Sequence, residues 1–126
     1  MDDVFSTYLY TGNGSSQTIN NGIDLAGNGG MVWVKQRSGS AMQHNVIDTA
    51  RGAVNRISTN STSASSNDSG SPSFKSNGFT YDVASSGYGL NNETYVSWTF
   101  RKAPKFSDVV TWTGDGTNNR QIVHSL

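Results

Sequence analysis

Four Asn-Gly pairs, beginning at Asn13, Asn21, Asn28 and Asn77, punctuate this chain. Asn followed by Gly accepts positive φ at both central positions of a type I′ turn, the connection that suits a tight β-hairpin. Between the breaks the residues alternate with period two. Over 4–10, Phe5 and Leu9 alternate with Ser6, Tyr8 and Tyr10. Over 31–37, Val32 and Val34 oppose Met31, Trp33, Lys35 and Arg37. Over 94–100, Val96, Trp98 and Phe100 share one face, and Tyr95, Ser97 and Thr99 share the other. Weaker strand signals lie at 44–48, 54–58, 74–83, 108–112 and 121–124. No segment sustains the i, i+3, i+4, i+7 spacing of an amphipathic helix. The pattern predicts an all-β, antiparallel β-sandwich of jelly-roll or lectin-like type, with few or no helices.

The 126 residues suit one domain. Only 33% are hydrophobic, so the three Trp, five Tyr and five Phe are expected to form much of the inner layer. The formal net charge is zero and 14% of residues are charged, which gives no footprint for a nucleic-acid groove or an anionic membrane. Cysteine is absent, which excludes disulfides, thiolate metal sites and a cysteine nucleophile. No apolar run approaches the roughly 18 residues of a membrane span. The N-terminus lacks the basic and apolar regions of a secretory signal, so synthesis in a cytoplasm is expected.

Two polar stretches, 59–73 and 84–92, read as exposed loops that burial cannot hold. Pro104, set among Arg101, Lys102 and Lys105, reads as a connector. Beyond it a motif recurs. Phe5-Ser6, then Tyr10-Thr11-Gly12-Asn13-Gly14, then Gln17 and Ile19, is answered by Phe106-Ser107, then Trp112-Thr113-Gly114-Asp115-Gly116, then Gln121-Ile122. In each copy the aromatic is expected to end a strand on the core side, and the glycines to supply a tight turn. This divides the chain into a sandwich module over 1–103 and, over 104–126, a connector and a hairpin that begins a second partial repeat, packed on the same sandwich.

Candidate sites are few. His44 and Asp48 with a serine have the composition of a hydrolase triad, but a serine-rich chain meets that trivially and lacks a Gly-x-Ser-x-Gly elbow. The expected arrangement is a structural polar cluster of His44, Asp48 and Arg51, with Asp48 accepting from Arg51 or turn amides and Gly52 relieving the backbone. His44, Asp48 and His124 have no recognised metal-ligand spacing, and 115–119 lacks the acidic residue that completes a calcium loop. No metal, cofactor or catalytic residue is assigned. Trp33 and Arg37, with Lys35, could stack a ligand, and Tyr88 and Asn91 could meet one from the 84–92 loop.

Taken in order, Tyr10-Thr11-Gly12-Asn13-Gly14, Gly30-Met31-Val32-Trp33-Val34-Lys35, His44, Asp48-Thr49-Ala50-Arg51-Gly52, Phe74 with Asn77-Gly78-Phe79, and Tyr95-Val96-Ser97-Trp98-Thr99-Phe100-Arg101-Lys102 resemble a repeat module. Tailed bacteriophages, many marine or cyanobacterial, encode that module among their structural genes. Residues 108–114 and 122–126 resemble the opening of its next half. The resemblance implies a non-catalytic virion component at the particle surface, in a tail fibre or similar appendage with contact to a host-surface glycan. The alternative is a capsid decoration or cement protein. A glycan-degrading enzyme is the third reading. Expected partners are other virion proteins and further copies of the chain, as a trimer or array, without nucleic acid or membrane.

Overall fold

The computed structural model describes residues 3–68, 70–82 and 87–126, so residues 84–86 of the second polar loop lie outside it. Among the described residues nine strands form two antiparallel sheets that pack together. In chain order they are β1 (Phe5–Thr11), β2 (Gln17–Asn20), β3 (Gly30–Gln36), β4 (Asn45–Asp48), β5 (Asn55–Ser58), β6 (Ser66–Asn67), β7 (Pro72–Lys75), β8 (Gly78–Tyr81) and β9 (Thr94–Arg101). One sheet has the order β1-β9-β3-β4-β5-β6, the other β2-β8-β7. The all-β sandwich expected from turns and alternation is the fold found. The one helical turn among the described residues, α1 (Leu25–Asn28), starts where Asp24 Oδ1 accepts from the Gly27 amide at 2.7 Å.

Asn77-Gly78 marks a hairpin, though not as the central pair of a type I′ turn: Ser76 and Asn77 form the two-residue loop, and Gly78 already opens β8. The loop breaks the run at 74–83 into a hairpin, β7 against β8, with Phe74 opposite Phe79. Gly78 has φ of +148°, and a Cβ there would lie 1.9 Å from the Ile19 carbonyl oxygen, so the third strand can approach only because the side chain is missing.

The core lies between the sheets. Val32, Val34 and Ile47 come from the larger sheet, Ile19, Phe79 and Tyr81 from the smaller, and all are at most 1% exposed. Ile23, Leu25 and a group of tyrosines fill the rest. Tyr10 stacks on Tyr95 at 5.2 Å between centroids, and Tyr81 stacks on Tyr88 at 6.0 Å. Tyr81 donates to Gln17 Oε1 at 2.5 Å, and burial pushes its hydroxyl up to about 12. Burial likewise raises Tyr10 and Tyr88 well above the ordinary phenol value.

Alternation located β9 but left open which face is the core one, and the inward face is the more polar. Tyr95, Ser97 and Thr99 point inward and are fully buried, while Trp98 and Phe100 point outward and are partly covered. Thr99 earns its buried place through a hydrogen bond from Asn21 Nδ2 at 2.8 Å, which ties β9 to the turn after β2.

Residues 104–126 depart from expectation. Neither 108–112 nor 121–124 joins a ladder; the segment has one isolated bridge, Ala103 to Ser107. The second turn motif nonetheless forms. Asn13 Oδ1 accepts from the Ser15 amide at 2.9 Å, and Asp115 Oδ1 from the Thr117 amide at 3.0 Å. Gly14 and Gly116 have φ of +73° and +78°. Local sequence is enough for this Asx turn; a strand needs a partner. Trp112, expected at the core side, is therefore 62% exposed, whereas Tyr10 in the first copy is 9% exposed.

Asp108 clasps the tail's two ends. Its Oδ2 accepts from Ser125 N and Oγ, both at 2.9 Å, and its Oδ1 lies 3.2 Å from Lys102 Nζ. The Ser125 hydrogen bonds, with Lys102 in support, hold the carboxyl at about 2, below the ordinary 3.8. A carboxylate with a lowered folded pKa stabilises fully above its ordinary value and loses that contribution as the pH falls through the lower one. The Ser125 amide resonance is thus expected to shift with a midpoint near pH 2. In Asp108→Asn that transition disappears.

Candidate functional site

The outward face of the larger sheet carries an apolar surface built from its aromatic and aliphatic residues. Directly opposed residues share a face. The registers therefore align Thr7, Trp98, Trp33 and Val46 in one row and Phe5, Phe100 and Met31 in the next. Rings meet across the strands. Trp33 and Trp98 lie 5.3 Å apart and tilted by 60°, Phe5 and Phe100 4.9 Å apart and tilted by 49°, arrangements that favour aromatic contact. Trp33 also meets the His44 ring at 5.9 Å.

At the β4–β5 side of this face lies a groove of about 490 Å³. Met31, Val46 and Ile57 line it from the sheet, and Val109, Val110 and Trp112 from the tail. The apolar part of the tail thus covers some of the outer face without hydrogen-bonding to it as a strand. Asp48 and Arg51 border the same groove. The turn after β4 brings them together. Asp48 Oδ1 accepts from the Arg51 amide at 2.8 Å, Oδ2 from Arg51 Nε at 2.6 Å, and Arg51 Nη2 also meets Oδ2. Gly52, with φ of +93°, closes the turn by donating to the Asp48 carbonyl at 3.1 Å. Arg51 Nη1 is shielded from solvent and has no hydrogen-bond partner among the described residues. The groove therefore combines apolar walls with the Asp48–Arg51 ion pair at its border. Such a site suits a side chain or small polar ligand more than a proton-transfer reaction.

The expected polar cluster is thus half assembled. Asp48, Arg51 and Gly52 meet as expected, but His44 sits before the opposite end of β4 and packs on Trp33 instead. Three residues of extended strand, Asn45 to Ile47, lie between His44 and Asp48, too far for a shared contact. Trp33 is on the outer face, half-buried, and Arg37 follows β3 with an exposed side chain, its amide donating to the Thr94 carbonyl at 2.7 Å. Asn91 is exposed as expected and lies against Gly14.

Tyr88 requires correction. It is not a surface ligand group but a fully buried core residue whose hydroxyl donates to the carboxylate of buried Asp68. Asp68 also accepts from the Gly70 amide at 2.8 Å. This pair, together with β6, holds part of the 59–73 stretch that composition marked as loop. No local signal distinguishes Asp68 from its polar neighbours; only the fold brings Tyr88 to it. Among the described residues no group of three or more His, Cys, Asp or Glu could hold a metal ion.

No curated protein and no solved structure matches this chain. The sequence profile of a family described as Domain of unknown function (DUF7483) matches residues 2–107, ending at the Ala103–Ser107 bridge and leaving most of the tail outside. With most of its length matched, the chain belongs to the DUF7483 family.

Proposed function

We propose that this chain is a non-catalytic structural module of a bacteriophage virion, part of a tail fibre or other appendage, where it packs on other virion proteins and meets the host surface. The outer face carries this reading. Paired tryptophans and phenylalanines, with Leu9 and Ile57 still 59% and 39% exposed, make a surface suited to packing. The order of motifs along the sequence supports the virion setting. On that face, Trp33, with exposed Arg37 just beyond β3, offers the stacking and hydrogen bonding that a host glycan needs.

The test is imaging of the encoding phage with gold-labelled antibody raised against the purified chain. Label on tail appendages is the expected result. Label over the head would replace the appendage with a capsid-decorating role, and unlabelled particles would overturn the virion reading. Incubated with host polysaccharide, the chain should release no oligosaccharide. Release that stops in His44→Ala or Asp48→Asn would make it an enzyme.

A further inference from the structure

Among the described residues the two sheets end in four edge strands, and three of them are built to refuse a partner. β6 is two polar residues, β2 is the four-residue Gln-Thr-Ile-Asn, and β7 carries Pro72 and Lys75. Shortness, polarity, proline and lysine are the usual protections of a sheet edge. β1 has none of them. It runs seven residues, Phe5 to Thr11, without charge, proline or glycine, and its register against β9 is unbroken.

Its backbone is half used. The Val4 carbonyl accepts from the Arg101 amide at 2.8 Å, and the Gly12 amide donates to the Glu93 carbonyl at 2.8 Å. Even-numbered residues therefore face β9. By the alternation of an antiparallel ladder, Phe5, Thr7, Leu9 and Thr11 turn their N–H and C=O groups outward. Among the described residues no strand pairs with that side. Beside it Phe5, Tyr8 and Leu9 stand 45%, 37% and 59% exposed.

We propose that two copies of this chain pair through β1, antiparallel about a twofold axis at Tyr8, joining two six-stranded sheets into one. The strand is complementary to itself. With the axis at Tyr8, Phe5 falls opposite the partner's Thr11 and Thr7 opposite the partner's Leu9. All of these are outward-turned residues, so the pair can form about eight N–H···O=C bonds. No charge opposes another across the axis, and Tyr8 meets the partner's Tyr8 at the centre. An arrangement of this kind closes at two copies. It does not depend on the virion reading, because it follows from the edge alone.

Sedimentation of the whole chain tests it. The mass is expected to rise with concentration from 13.5 kDa towards twice that value. Leu9→Lys puts a charge on the exposed edge, and Thr7→Pro removes only an outward amide; both should stay monomeric with the wild-type far-ultraviolet spectrum. Thr18→Lys, on the exposed side of β2, should dimerise as the wild type does. Tyr8→Cys, in a chain without cysteine, should oxidise to a disulfide-linked dimer, because opposed residues at such a position lie about 4.5 Å apart between Cα atoms. A wild type that stays monomeric at every concentration would overturn the proposal. So would a dimer indifferent to Leu9→Lys and Thr7→Pro, or a Tyr8→Cys dimer that keeps free thiols.

Discussion

Phe79→Ala is expected to lower the unfolding free energy by about 3–5 kcal/mol, measured by urea denaturation at neutral pH. Phe79 is fully buried on β8, the central strand of the smaller sheet, with Ile19 opposite on β2 and Phe74 opposite on β7. It therefore joins both pairings of that sheet to the core. The ring has no polar atom, so its loss comprises transfer of apolar surface and the cavity left behind. Domains of this size are stable by about 5–15 kcal/mol, so the variant should sit close to unfolding at physiological temperature. A loss below about 1 kcal/mol would mean that β8 does not pack as described.

The second large effect separates the two copies of the turn motif. Gly12→Ala is expected to cost about 3 kcal/mol or more, at the upper end of overpacking penalties. A Cβ at Gly12 would lie 2.3 Å from the Leu90 carbonyl oxygen and 2.6 Å from the Gly89 carbonyl carbon. Backbone cannot move aside as a flexible side chain can, and the same segment leads from Tyr88 to β9. Gly114→Ala, the matching change in the second copy, meets nothing within 4 Å and should alter stability by no more than about 0.5 kcal/mol. Equal effects in thermal unfolding would show that the copies have similar surroundings.

The contrast shows what was legible in the sequence. Period-two alternation located β1, β3 and β9 to within a residue, and Asn77-Gly78 marked a real hairpin turn, because these signals are local. Whether a segment with strand character becomes a strand depends on an available edge. Residues 108–112 have Val, Val, Thr and Trp in sequence, yet find no ladder here. Which face of β9 lies inside was also hidden. Tyr95 on one side and Trp98 on the other are both large enough to fill a core, and Asn21, far away in sequence, satisfies Thr99.

The site was legible to the same degree. Asp48 and Arg51 pair across three residues, a distance that sequence spacing captures. The buried Tyr88–Asp68 pair spans twenty residues and two stretches of loop composition, so Tyr88 passed for a surface group. The groove under Trp112 needs the tail folded back on the sheet, and no spacing rule encodes that.

The proposed pairing of two copies requires that the outer edge of β1 be unprotected in the monomer. Amide hydrogen exchange along β1, followed by NMR at rising concentration, tests it most directly. The amides of Ser6, Tyr8 and Tyr10 face β9 and should be protected at every concentration. Those of Phe5, Thr7, Leu9 and Thr11 should exchange freely in dilute solution and become protected together as copies pair, giving protection that alternates at low concentration and is continuous at high. Odd-numbered amides that stay unprotected however concentrated the sample, or that are already protected in the monomer, would contradict it.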